Sequence, residues 1–310
     1  MKRLFNNLCL LMLIILLLPY VVTAFMTGSS ERKGHKQNLE IIWQKNGEQI
    51  NLNLDEYITG VISAVIPAHY ELETLKAQAV IIRTFAAGID TEENQISVED
   101  LGFAYFSEAE MEEIWSQEEL DSIYSKIAEA VETTKDEVIY YNNQLILPLF
   151  HSVSTGMTRD ARDVLGDGYP YLLSNDSSED TGSDEYMSIT EETAENISTL
   201  LNEQIGADVL TAENFYENML ILERDSYGYV RTAEIGGITV TGEEIAECLS
   251  LNSSNFYFQD YEGKIRIICK GKGHGLGFSQ YGANEKAKDG MDYKGLLNYY
   301  YTNIKINKMI

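Results

Sequence analysis

The amino-acid sequence predicts an α+β fold in which mixed helices and antiparallel hairpins form a substrate groove, behind one N-terminal transmembrane helix. Three observations carry that expectation. No charged residue occurs between Leu4 and Ser30, and residues 8–18 are almost purely aliphatic. Apolar runs broken by Asn-Gly, Asn-Asn and Glu-Gly pairs recur at three places, the pattern of hairpins. After the first of these, apolar residues fall at helical spacing over two consecutive stretches.

Taken in order, the uncharged stretch from Leu4 to Met26 is long enough to span a bilayer, which needs roughly 20 residues. Lys2 and Arg3 on its N-terminal side favour a cytoplasmic N-terminus. Residues 1–26 are therefore read as a membrane anchor, with cleavage as a signal segment after the small residues around Val22-Thr23-Ala24 as the alternative. Residues 27–38 are polar and read as a linker, and residues 39–310 as the folded domain. Residues 40–43 and 49–54 predict a hairpin around Asn46-Gly47. Leu54, Tyr57, Ile58, Val61 and Ile62 then predict a helix that Pro67 ends. Residues 71–88 predict a second, amphipathic helix with a solvated edge and acids in its first turn.

The acidic run 108–119 predicts one solvated helix, and residues 138–150 a second hairpin around Asn142-Asn143. Residues 174–188, rich in Asp, Glu and Ser, read as a surface loop. About 179–251 reads as an insertion or subdomain, with helix-like and strand-like pieces over 190–205, 230–238 and 241–251. A last hairpin around Glu262-Gly263 feeds the glycine-rich segment 270–282.

The chain has 310 residues, 44% hydrophobic and 23% charged, which excludes a disordered or fibrous class. Its net charge of −26 sets up long-range repulsion against nucleic acid, which excludes that partner. Twenty tyrosines suit a surface that stacks on sugars, and equally an ordinary structural surface. Cys9 lies in the apolar segment, so Cys248 and Cys269 could form one bridge or remain thiols.

Two strings carry polar chemistry. Residues 271–283 alternate glycine with other residues and offer His274, Ser279, Gln280 and Tyr281 as donors and acceptors for an uncharged polar ligand. Residues 151–156, His-Ser-Val-Ser-Thr-Gly, end the second hairpin with an imidazole and hydroxyls. A nucleotide site is not supported, because no GxxxxGK[ST] string occurs. A serine hydrolase lacks its G-x-S-x-G elbow. His151, His274, Cys248 and Cys269 show no H-x-x-x-H or C-x-x-C spacing, so no metal or other cofactor is assigned. Lys76, Val80 and Arg83 share one stripe of the second predicted helix.

Together these segments resemble the stage II sporulation protein D and amidase-enhancer family. The resemblance rests on Leu54-Asp55-Glu56-Tyr57 through Pro67-Ala68 to Leu75-Lys76-Ala77-Gln78-Ala79 and Arg83-Thr84. It continues with His151-Ser152 through Gly156, Asp163-Val164 and Pro170-Tyr171-Leu172, and ends with the string 271–283. It implies an extracytoplasmic domain, held at the cell membrane, that acts on peptidoglycan glycan strands during forespore engulfment, and a cell-wall amidase as a further partner. It also implies Arg83, His151, Ser154, Thr155, Gly156, His274, Gln280 and Tyr281 as the residues that hold the glycan. Active members of the family place a glutamate before a Met-Pro-Ala-like triplet, as the acid of a lytic transglycosylase. Here that stretch reads Val65-Ile66-Pro67-Ala68. Valine has no proton to give, and loss of a general acid costs on the order of a hundred- to ten-thousand-fold in rate. Glu71 and Glu73 are the candidate displaced acids, although the first turn of a helix favours acids for its own reasons.

Overall fold

The computed structural model describes residues 39–45, 47–89 and 95–309. The expected anchor or signal segment 1–26, the linker 27–38, Cys9 and Asn46 lie outside them. Among the described residues no helix is long and apolar enough to cross a membrane. The mixture of helices and largely antiparallel sheets expected from the sequence is present. The chain divides into two compact units, one running to Leu149 and resuming at Ala283, the other Phe150–Gly282.

In the first unit, Glu40–Lys45 pairs antiparallel with Glu48–Asn53 and parallel with Gln95–Ser97. The helix Leu54–Val65 starts at once because Asn53 and Glu56 form a reciprocal cap: the Glu56 N–H donates to Asn53 Oδ1 and the Asn53 N–H to Glu56 Oε2. It stops where Pro67 holds Ile66 extended, at φ −135° and ψ 141°. The next helix, Leu72–Gly88, corrects the solvated-edge expectation. It is buried on nearly all sides, including Thr74, Gln78, Arg83 and Thr84, and it contacts Leu54–Val65, Gln117–Thr133, Tyr293–Tyr300 and the strand Glu137–Tyr141. Ile139 donates its N–H to Thr84 Oγ1 at 3.0 Å, fixing that strand to the helix.

The acidic run is two helices, not one. Glu108–Ile114 and Gln117–Thr133 each begin with a capping box, Ser107/Glu110 and Ser116/Glu119. The second predicted hairpin is shorter than expected: Glu137–Tyr141 pairs with Gln144–Leu145 about Asn142 and Asn143, both at positive φ, and also with Lys305–Lys308.

The second unit holds two three-stranded antiparallel sheets. One orders Phe256–Tyr261, Lys264–Lys270 and Met187–Glu192; the other orders Ile238–Thr241, Val230–Ile235 and Met219–Arg224. The piece expected over 190–205 divides into the end of a strand, Met187–Glu192, and a helix Ala194–Ile205 that Thr193 caps. Strand Met219–Arg224 has no clean alternation to announce it, and it breaks register twice against Val230–Ile235. Ile197, Leu201, Phe215, Ile235, Phe256 and Ile267 belong to one buried apolar cluster shared by these sheets and helices. Cys248 and Cys269 are free thiols; the first donates to Leu200 O and the second to Ser253 O.

Candidate functional site

The two polar strings meet inside the second unit. Phe150–His151 and Phe278–Ser279 form a parallel pair that sets His151 beside Ser279. Val153 exchanges backbone hydrogen bonds with Lys272, and the Tyr281 N–H donates to Ser152 O at 3.0 Å. The tight run of glycines serves this closure. Gly273 and Gly275 sit at φ +103° and +76°, and a Cβ on them would lie 2.8 Å from His151 Cβ and 2.6 Å from the Tyr229 hydroxyl. Both positions thus require glycine for conformation and for close approach to the protein's own side chains.

Asp180 joins the strings. The sequence places it in a surface loop, yet residues Ser178–Gly182 form a 3-10 turn that carries this carboxylate fully inside. The Ser154 N–H donates to Asp180 Oδ2 at 2.8 Å, and the Ser279 hydroxyl donates to the same carboxylate at 2.8–2.9 Å. One acidic side chain therefore ties residues of both strings, and its charge favours protonation of His151.

Burial opposes it and holds the His151 imidazole below its ordinary pKa, with Arg159 adding to the depression. His151 Nδ1 lies 3.1 Å from Leu276 O. A carbonyl can only accept, so Nδ1 carries the proton and Nε2 is an acceptor. That nitrogen is buried and has no hydrogen-bond partner among the described residues. His274 Nδ1 accepts the Leu276 N–H at 3.0 Å, so the tautomers of the two rings are opposite. Burial, then His151 and Arg159, push the His274 pKa down to about 3. Both imidazoles are neutral at pH 7.

Arg159, which the sequence did not single out, is the cation of this region. It is buried, donates to Asp225 Oδ2 at 2.6 Å and to His274 O at 3.0 Å, and stacks 4.3 Å from the Tyr229 ring centroid. Asp225 in turn accepts the N–H groups of Tyr227 and Tyr229. Of the other expected site residues, Ser154 and Gln280 are buried, while Thr155, Gly156, His274 and Tyr281 are half-buried. Among the described residues no group of three or more His, Cys, Asp or Glu could hold a metal ion.

Four further candidates belong to the first unit. Val65 is half-buried at the end of its helix. Arg83 is 1% exposed, and its guanidinium donates to Thr134 O at 2.8 Å, Val131 O at 3.3 Å, Glu137 O at 3.4 Å and Asp55 Oδ1 at 3.4 Å. Those bonds account for its donors by packing within the unit. Glu71 is exposed at the N-cap and makes no side-chain cap bond. Glu73 is committed on both oxygens, to Lys76 Nζ at 2.7 Å and to the Tyr293 N–H at 2.9 Å, where it closes the start of another helix.

The protein is thus an α+β chain whose second unit gathers the buried His151 and the half-buried His274, both neutral, with a buried carboxylate and a glycine-rich closure. The profile of the family described as Stage II sporulation protein matches residues 44–141, which lie in the first unit. A Stage II sporulation protein D from Bacillus subtilis (strain 168) is 30% identical over 290 residues, 91% of this chain and 82% of that protein. One from Bacillus amyloliquefaciens is 29% identical over 266 residues, 83% of this chain and 75% of that protein. A Bacillus subtilis protein named Amidase enhancer is 25% identical over 291 residues, 79% of this chain and 39% of that protein. The chain belongs to the stage II sporulation protein D and amidase-enhancer family.

Proposed function

We propose that this chain is an extracytoplasmic peptidoglycan-binding member of its family that works in spore formation, at forespore engulfment, with glycan cleavage weak or absent. Residues 1–26 anchor it in the cell membrane with a single pass, and the helices and hairpins beyond them form a groove for glycan strands. His151, Ser154, Thr155, Gly156, His274, Gln280 and Tyr281 hold the glycan by hydrogen bonds and stacking. Neutral imidazoles suit an uncharged, hydroxyl-rich ligand.

The commitment of Glu73 carries the reading on cleavage. Cleavage needs a carboxylic acid to protonate the departing glycosidic oxygen while the sugar's own 6-hydroxyl attacks. At the family's acid position stands Val65. Of the two nearby replacements, Glu73 is spent on Lys76 and Tyr293, and Glu71 is exposed to water. His151 offers no proton from Nε2 in the tautomer its Leu276 bond requires.

The test is to incubate the full chain with purified glycan strands and look for anhydro-sugar ends by mass spectrometry. No such ends are expected from the parent chain, and their appearance at a rate that Glu71→Gln abolishes would instead identify a displaced acid. Val65→Glu is expected to create the activity. Retention on insoluble peptidoglycan, reduced by Tyr281→Ala, is expected for the binding role, and a parent chain that washes through rules it out. The relative named Amidase enhancer supports a second reading, in which the chain stimulates a cell-wall amidase. Under that reading an amidase works faster on peptidoglycan when the chain is added; an unchanged rate excludes it.

A further inference from the structure

In the second unit, strand Lys264–Lys270 lies between Phe256–Tyr261 and Met187–Glu192. Ile265, Ile267 and Cys269 turn into the apolar core, so the alternate residues Lys264, Arg266, Ile268 and Lys270 turn to the opposite face. The register sets Ile189, Ile268 and Tyr257 side by side in one row across all three strands. Met187 pairs with Lys270 in the neighbouring row. Met187, Ile189 and Tyr257 are 48%, 53% and 38% exposed. A contiguous apolar row of this kind differs from the scattered apolar residues of an ordinary surface and marks an interaction site when charge rims it.

The rim is cationic. The Arg224 guanidinium lies 4.2 Å and the Lys270 ammonium 5.8 Å from the Tyr257 ring centroid. Arg266 stacks on Tyr261 at 3.3 Å and pairs with Glu191 at 2.7 Å, the carboxylate of this face. Lys264 is exposed at the hairpin end of the strand. Cations thus gather on one sheet face of a chain whose net charge is −26. Tyr, Met and Arg are also the side chains that protein interfaces enrich.

Area selects the kind of occupant. Three strands about 4.8 Å apart and about 20 Å long present roughly 300 Å². A stable interface between folded proteins takes about 800 Å² from each partner. A short segment fits that limit, and it brings far less negative charge up to this chain than a second copy at −26 would. We propose that this face docks a short acidic segment of a protein partner, with an apolar or aromatic anchor on the Ile189–Ile268–Tyr257 row and carboxylates on Lys264 and Lys270. The proposal stands apart from the glycan-binding reading.

To test it, the full chain in mild detergent is titrated with a random copolymer of glutamate and tyrosine, and with polyglutamate as the control lacking an anchor. Retention on insoluble peptidoglycan is measured on the same samples. The copolymer is expected to bind more tightly than polyglutamate, and to lose about tenfold in affinity between low salt and about 0.3 M salt. Lys264→Glu with Lys270→Glu is expected to weaken it at least tenfold, and Ile189→Ser several-fold, with the thermal midpoint unchanged. Equal affinity in the parent and the charge-reversed chain overturns the proposal. So does a loss of peptidoglycan retention in these variants with copolymer binding intact, which would make the face a glycan surface. A dimer dissolved by Ile189→Ser would make the occupant a second copy and overturns the proposal as well. A parent chain retained by peptidoglycan but blind to the copolymer sinks the proposal and leaves the glycan reading standing; the reverse result does the opposite.

Discussion

His274 shows how one side chain ties stability to pH. Its pKa is about 3 in the folded protein against about 6.5 in the unfolded chain. The unfolded chain therefore binds the extra proton, and folding loses stability as pH falls from about 6.5 toward 3. The contribution is fully present above the unfolded value. Within that window the loss from this group is about 1.4 kcal/mol per pH unit. Denaturant titrations at a series of pH values should show that slope, and His274→Gln should flatten it while lowering stability at pH 7. The His274 ring signals should not titrate between pH 7 and 5 by NMR.

Asp180 makes the complementary case at the same scale. Its carboxylate satisfies the Ser154 N–H and the Ser279 hydroxyl in a fully buried place. Asp180→Ala leaves both donors without a partner, at about 1–3 kcal/mol each. A total loss of roughly 2–6 kcal/mol in denaturant stability is the expected result. Asp180→Asn keeps an acceptor oxygen and should cost less. If the two variants are equally stable, the carboxylate does not organise the strings.

Elements explain which parts could be read from the sequence. The hairpins about Gly47, Asn142-Asn143 and Glu262-Gly263, and the helices Leu54–Val65 and Leu72–Gly88, carry their own signals: alternation, turn residues, caps and Pro67. The two polar strings are visible as strings. What draws them together is not, because Asp180 sits in a stretch of Ser, Asp and Glu whose composition describes a surface and whose burial depends on distant Ser154 and Ser279. Repeated Ser-x-x-Glu patterns at Ser107 and Ser116 do mark two helix starts, a signal that the overall acidity of the run obscures. Arg83, which the resemblance implies as a glycan contact, is held by the Thr134, Val131 and Glu137 carbonyls, partners distant in sequence that its place on a helical stripe does not announce.

Two element-scale outcomes follow from this packing. Arg83→Ala should lower stability by about 3 kcal/mol or more, because it leaves several buried carbonyls unpaired. Circular dichroism melts will register that loss with no ligand present. Gly275→Ala should also be severe, since the new Cβ meets the Tyr229 hydroxyl at 2.6 Å. Gly263→Ala is the matched control: φ is +77° there and nothing lies within 4 Å, so only the left-handed backbone penalty remains, about 1–2 kcal/mol.

At the scale of the whole molecule, charge is the dominant feature. With 49 acidic and 23 basic residues, the folded chain repels itself more than the expanded one does, because compaction brings like charges closer. Salt screens that repulsion over about 10 Å at 0.1 M. Lys135–Glu132 and Arg231–Glu223 are exposed ion pairs of the kind salt weakens, and such pairs contribute about 0–1 kcal/mol. The buried Arg159–Asp225 pair is shielded from screening by the protein around it. Relief of self-repulsion should therefore exceed the loss of surface pairing. The thermal midpoint of the full chain is expected to rise by a few degrees between about 0.02 and 0.3 M sodium chloride, as followed by scanning calorimetry. A midpoint that falls over that range would mean that surface ion pairs outweigh the net charge, and the acidic balance would then have to be explained by a partner rather than tolerated by the fold.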